Sequence, residues 1–366
     1  MIYLTSIKIA FLIFPFIALL ITIPYILIQY HKYGSINKLR VLIIYSFILY
    51  LLAIYFLVIL PLPPIDVVKN LTSPKYQLIP FNFIIDFIKD NPLVLNNPKT
   101  YIKTLLNPNV YIVLFNIIMT IPYGMYLNYY FKKDLKTIIK YTFLLSLFFE
   151  LTQLTGLYFI YPRPYRLFDV DDLMINTLGG IVGYFIMNKL KVLLPSREEI
   201  DEKSINDSVK VSVLRRITSI SIDIFIYIVL ITFINIFINN KIINYIILII
   251  YFVIIPTINN KTLGMSFVNI KYDVANKRIL RIFLRQVIIC LYYIELPKII
   301  FYLFNILNIN GSIKIILFIL ALIILFIVYL ISIIKFLLKK DLFYDKFLKV
   351  NILSTIKVDK NVIEEK

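Results

Sequence analysis

Histidine and cysteine are almost missing from this chain. Its 366 residues hold one of each, His31 and Cys290, and no tryptophan. A histidine-cluster zinc site or a CxxC redox pair needs more of both, and one cysteine closes no disulfide within a chain. Cys290, among Ile288, Ile289 and Leu291, reads as a small buried hydrophobe. Charge is also scarce. Charged residues make up 16% of the chain, against about 25% in soluble domains. Glycine occurs only 8 times. Polar chemistry therefore rests on carboxylates, Arg, Lys, Asn, Gln, Ser, Thr and Tyr.

What fills the chain instead is apolar: 60% of the residues. The apolar residues form runs near the roughly 20 needed to cross a bilayer as a helix. About nine spans are expected, near 9–30, 41–60, 110–130, 138–156, 172–190, 217–238, 242–258, 282–306 and 315–337. The fold class is an all-α, multi-pass integral membrane protein. The first run is too long and too weakly flanked by positive charge for a cleaved signal peptide.

The net charge of +18 would suggest nucleic acid in a soluble protein. Here Lys-rich codon usage and the basic bias of membrane loops account for it, and no nucleic-acid partner is expected. Alternating the loops between sides puts 28 Lys and Arg on one side and 10 on the other, with Lys298 inside a span. The positive-inside rule makes the richer side cytoplasmic. The N-terminus is then outside and the C-terminus inside.

The charged stretch PSREEIDEKSINDSVK opens at residue 195 and marks a boundary. It divides a first membrane domain, 1–194, from a second, 213–353, through a cytoplasmic linker at 195–212. A polar tail, 354–366, follows. The outer loop 61–110 carries an amphipathic stretch, FNFIIDFIKD at 81–90, too short to span and suited to the interface.

Residues 150–183 concentrate the polar signals. Glu150 and Gln153, at i and i+3, share one face. After the loop YPRPYRLFDVDD, helical spacing places Asp172, Asn176, Gly179, Gly180 and Gly183 on one stripe, with Asp169 at its mouth. Asp171 is off the stripe and reads as an anchor. Small residues on a stripe let another helix approach closely, and the simplest partner is the fourth span. Arg166 would answer the acidic charge, and Arg163, held between Pro162 and Pro164, would face lipid phosphate.

Three chemistries fit these residues. Glu150, Asp169 and Asp172 could serve as general acid and base or hold a divalent cation through oxygen ligands. Gln153, Arg163, Arg166 and Asn176 could bind a phosphate-bearing headgroup. A purely structural ion-pair network fits as well. No nucleophile or complete metal set is visible, so no cofactor is assigned and the pattern leaves catalysis open.

The second half has sparser signals. Arg216 and Asp223 share a face of the sixth span, and Glu295 and Lys298 flank Pro297 in the eighth as a mutually neutralising intramembrane pair. The segment NKTLGMSFVNIKYD, 260–273, reads as a short strand or turn.

The pattern Glu150-x-x-Gln153, Arg166-x-x-Asp169-x-x-Asp172-x-x-x-Asn176-x-x-Gly179-Gly180-x-x-Gly183, with LIPF at 78–81, resembles the VanZ-like family over roughly 38–190. The second half resembles the RDD family through Arg216, Asp223, the Thr262-Leu263-Gly264-Met265 turn and Asp345. It departs where Met265 replaces the usual Lys and Phe343-Tyr344 a common Leu-His pair. The resemblance implies a bacterial plasma-membrane protein linked with resistance to teicoplanin-type antibiotics. Its partners would be membrane lipids and lipid-linked cell-wall intermediates. For the RDD half it implies transport, which gives the rival expectation of an ion-coupled exchanger using Arg216, Asp223, Glu295 and Lys298.

Overall fold

A computed structural model describes residues 2–90, 92–238, 240–307 and 311–356; the expected tail lies outside the described residues from 357 onward. The chain divides into two compact units, Met1–Thr22 with Lys38–Ile200, and Ile23–Asn37 with Asp201–Lys366. The division falls inside the expected linker, part of which forms a helix, Arg197–Asp207.

In the first unit the helices are α1 (Ile2–Tyr33, up to Thr22), α2 (Lys38–Ile59), α3 (Ile65–Lys69), α4 (Asn82–Lys89), α5 (Lys99–Leu105), α6 (Pro108–Tyr129), α7 (Leu135–Leu154), α8 (Gly156–Phe159), α9 (Val170–Leu190) and the start of α10 (Arg197–Asp207). Two short strands, β1 (Tyr76–Gln77) and β2 (Phe168–Asp169), pair in parallel. They join the outer loop to the mouth of α9. The expected interfacial stretch forms α4.

Helix starts follow local chemistry. Asn107 caps α6 by accepting from Asn109 N at 2.9 Å, with Pro108 preset for the first turn. Asp169 caps α9 by accepting from Asp171 N at 2.9 Å. Ile54, Met119 and Phe149 form a core among α2, α6 and α7, and Tyr50 Oη donates to Met119 O at 2.8 Å.

The second unit holds α11 (Val213–Phe237), α12 (Lys241–Ile249), α13 (Ile255–Asn259), α14 (Leu263–Phe267), α15 (Arg278–Cys290), α16 (Leu296–Ile306), α17 (Gly311–Leu337) and α18 (Phe343–Leu348). Strands β3 (Ile270–Asp273) and β4 (Asn351–Ser354) pair antiparallel, so the segment 260–273 is a helical turn followed by a strand. Single π-helical turns, Ile250–Ile254 and Leu291–Glu295, join α12 to α13 and α15 to α16. Each is followed at the second residue by a proline, Pro256 or Pro297. A proline has no N–H and clashes with the carbonyl four residues back, and a π turn accommodates both.

Eight helices among the described residues are long and apolar enough to cross a membrane: α1, α2, α6, α9, α11, the α12–α13 run, the α15–α16 run and α17. The remaining expected span, 138–156, is the 20-residue helix α7. It is not among those eight, and it carries Lys136, Lys140 and Glu150. Large apolar side chains cover the outer faces, Leu20 at 75% and Ile236 at 72% exposure among them. Such faces suit hydrocarbon and not water. The architecture is that of an all-α, multi-pass membrane protein.

Candidate functional site

Helices α6, α7 and α9 build the site of the first unit. The glycine stripe meets α6 first, in contrast to the expected packing on the fourth span alone. A Cβ at Gly179 would overlap Ile117 O and Thr120 Oγ1, and one at Gly183 would overlap Ile121 O. Gly180 faces Thr142 of α7, and Gly124 of α6 lies against Gly180 O. The stripe therefore admits two neighbours, and α9 sits between them. Thr120 Oγ1, buried, donates to Asn176 O at 2.8 Å across the α6–α9 contact.

This close approach gathers the polar groups. Glu150, only 3% exposed, accepts the backbone N–H of Asp169 on Oε2 at 3.0 Å. Asp172 accepts from Asn116 Nδ2 at 2.7 Å. Ser146 Oγ donates to Asp172 O at 3.2 Å and accepts from Asn176 Nδ2 at 2.8 Å. Asn176 is 4% exposed, and its Oδ1 has no hydrogen-bond partner. A buried amide oxygen without a donor marks a place for one. Glu150, Asp169 and Asp172 lie close enough to feel one another's charge. Burial, with like charge from Asp171 and Asp86, pushes the Asp169 carboxyl above the usual carboxylate range, opposed by the Asp171 N–H.

The sequence pattern does not single out Asn116 or Ser146. Each is a polar residue inside an apolar run, Asn116 one turn before Thr120 and Ser146 one turn before Glu150. That spacing is the available signal.

Other expected ligand groups are engaged elsewhere. Arg166 donates to Val58 O at 2.7 Å and Leu60 O at 2.9 Å, and Gln153 Nε2 donates to Val58 O at 3.0 Å. These carbonyls end α2, where a helix leaves acceptors unsatisfied. Arg166 thus answers backbone oxygens; among the described residues it forms no ion pair with the three carboxylates. Arg163 Nη2 donates to Ser73 O at 2.5 Å, and its buried Nε has no partner.

Asp171 binds α4. Its Oδ1 takes Phe81 N at 2.6 Å and its Oδ2 takes Phe83 N at 2.9 Å, capping the first turn of α4 from another helix. A narrow apolar groove of about 170 Å³ runs between α4 and α6, lined by Phe83, Ile84, Phe87, Val110, Val113 and Leu114 with Asn109. Its Val113 is one turn from Asn116. Among the described residues, no cluster of three or more His, Cys, Asp or Glu side chains is arranged to hold a metal ion.

In the second unit, Asp223 is buried and accepts three hydrogen bonds: from Tyr251 Oη at 3.0 Å, Thr262 Oγ1 at 2.5 Å and Gly264 N at 2.7 Å. It therefore ties α11 to the π turn and to the start of α14. A Cβ on Gly264 would strike Ser219 O. Asp345 pairs with Arg285 at 2.6 Å, and Arg285 also donates to Tyr272 Oη at 3.0 Å. Arg216 has a buried Nε without a partner. Its neighbour Arg215, which the pattern omits, is fully buried and donates to the carbonyls of Ser208, Val268 and Asn269. Glu295 and Lys298 form an ion pair at 3.0 Å, and Lys298 also donates to Tyr245 Oη at 2.8 Å.

Neither a curated protein nor a solved structure matches the chain, and no match supports an RDD domain in the second half. The model of the VanZ/LLP1 family matches residues 47–193. That stretch contains α6, α7 and α9 with Glu150, Asp169, Asp172, Asn176 and the three stripe glycines. With eight apolar helices among the described residues, it describes a multi-pass protein of the bacterial plasma membrane whose residues 47–193 form a VanZ-like domain.

Proposed function

We propose that the VanZ-like domain binds or modifies a lipid-linked or anionic headgroup of the cell envelope at the outer leaflet, and so changes susceptibility to teicoplanin. The carrying observation is the junction of α6, α7 and α9. Three carboxylates and the partnerless Asn176 Oδ1 converge there, one helical turn from the apolar groove beside α4. Carboxylates and amides suit sugar hydroxyls or an amino group, and an apolar groove suits a lipid chain. Arg163, held by Ser73 O through Nη2, is a cation for a phosphate. The outward orientation comes from the distribution of Lys and Arg among the loops.

The test is teicoplanin susceptibility of a Gram-positive host carrying the wild type, Glu150→Gln, Asp172→Asn or an empty vector at matched membrane levels. Protection by the wild type and its loss in both variants supports the reading. Equal susceptibility of all four removes it.

A second reading is transport through the second unit, on the RDD resemblance. It is favoured by the position of Asp223, a buried carboxylate bonded to Tyr251 in a π turn of a span, since π turns recur at functional sites. Cation flux into proteoliposomes that disappears in Asp223→Asn and Glu295→Gln would support it, and flux unchanged in both would end it.

A further inference from the structure

The loop between the α12–α13 span and the α15–α16 span, together with the first two turns of α15, is basic: residues 259–285 contain six Lys and Arg against one acid, Asp273, three of the cations in the loop and three on α15. An open groove of about 700 Å³ lies where the first of these spans ends, at Thr257, and the second begins, at Lys277 and Arg278. Apart from those two cations and Thr257, its lining is Ile279, Leu280 and Phe283. Ile279 is 61% and Leu280 51% exposed. Lys277 takes a left-handed φ of 50°, and no side chain caps the first turn of α15.

The position decides what can occupy such a groove. The end of one span and the start of the next lie at the same membrane face, at the depth where hydrocarbon meets headgroups. Lys277 and Arg278 stand at the start of α15, and Ile279, Leu280 and Phe283 follow along the helix as it enters the span. A water-soluble anion would have no use for the apolar wall, and an uncharged lipid none for the cations.

We infer that this groove is a binding site for an anionic glycerophospholipid. Lys277 and Arg278 hold the phosphate, and an acyl chain lies along Ile279, Leu280 and Phe283. The site lies in the second unit and is independent of the VanZ-like domain and of its proposed role.

The chain lacks tryptophan, which makes a direct test available. Phe283→Trp, in full-length protein in nanodiscs, gives a single Trp in the groove. Its fluorescence is quenched by lipids with brominated acyl chains. At equal mole fraction, brominated phosphatidylglycerol among phosphatidylcholine is expected to quench more than brominated phosphatidylcholine among phosphatidylglycerol. The local enrichment should be roughly fivefold for each cation engaged. Adding Lys277→Gln and Arg278→Gln should abolish the difference, while millimolar glycerol phosphate should leave it intact. Equal quenching by the two lipids, a difference that survives the double substitution, or displacement by glycerol phosphate would each overturn the inference. Both cations are exposed, and circular dichroism identifies a variant that has lost its helices. Should the double variant unfold, the single Lys277→Gln replaces it, with a smaller difference expected and an unchanged one overturning the site.

Discussion

Asp172 and Asn116 meet side chain to side chain at 2.7 Å although 56 residues separate them in the chain. The bond joins the mouth of α9 to the middle of α6 and turns a carboxylate of the candidate site toward a neutral donor. Replacing Asn116 by Leu removes the donor and leaves the carboxylate half-buried without it. We expect a loss of about 1–3 kcal/mol in stability, read by denaturant unfolding in detergent. Asp172→Asn, which removes the charge and keeps a polar partner, should cost less. A fully stable Asn116→Leu protein would show that the bond contributes nothing.

The glycine stripe makes a sharper steric prediction. Gly179→Ala and Gly183→Ala each set a methyl group against a backbone carbonyl of α6. Overpacking of this kind costs about 1–3 kcal/mol, and it should also disturb the site that α6 and α9 frame. Gly311→Ala, with nothing within 4 Å of the added Cβ, is the control and should stay within about 0.5 kcal/mol of wild type. Comparable melting temperatures for all three would refute the packing argument.

These two cases mark what a linear reading can reach. The spans are legible because an uninterrupted apolar run of that length fits little besides a membrane helix, and α7 is legible as a helix even though its lysines set it apart. The acids and Asn176 stand out as polar residues at helical spacing near glycines. Their partners do not, because Asn116 and Ser146 are identified only by which helices touch. Arg215 and Arg216 show the same limit. Adjacent positions on a helix differ by about 100° in direction, and packing alone sends Arg215 into the core. The β3–β4 pair joins four-residue strands about 80 positions apart, too short to leave a periodic trace.

Arg285 and Asp345 form an ion pair whose side chains are 8% and 13% exposed. Asp345→Ala would strand a buried guanidinium, and a loss of about 3–5 kcal/mol is expected. Asp345→Asn keeps an acceptor for Arg285 Nε and should lose less. The double change Arg285→Met with Asp345→Leu removes both charges together, so it should be more stable than Asp345→Ala alone. Thermal unfolding of the three variants checks the order.

Asp169 predicts a pH dependence with a definite sign. Its carboxyl titrates above the ordinary value of 3.8, chiefly because it is partly buried. The folded state therefore holds this proton more tightly than the unfolded chain does. The stability linked to it is complete below the unfolded value and is lost as pH rises through the raised, folded one. Asp169→Asn cannot titrate, and Asn caps a helix about as well as Asp. The variant should gain stability over wild type as pH rises from the ordinary carboxylate value through the raised, folded one, with the difference closing at the acidic end. A difference that widens toward acid would reverse the assignment.

The proposed orientation, with the site at the outer leaflet, can be tested directly, because Cys290 is the only cysteine. In a Cys290→Ser background, Thr72→Cys reports the loop that precedes α4, and Lys203→Cys reports α10; both positions are exposed. A membrane-impermeant maleimide should label Thr72→Cys in intact cells and Lys203→Cys only after permeabilisation. The expectation rests on the excess of Lys and Arg in the loops on the side of α10, and it has a consequence for the chemistry. Asp171 fastens the start of α4 beside Asp169 and Asp172, so the side that labels Thr72→Cys is the side from which the carboxylates and the α4 groove are reached. Labelling with the opposite pattern would turn that site toward the cytoplasm, where an outer-leaflet intermediate cannot meet it, and the teicoplanin reading would fall with the orientation.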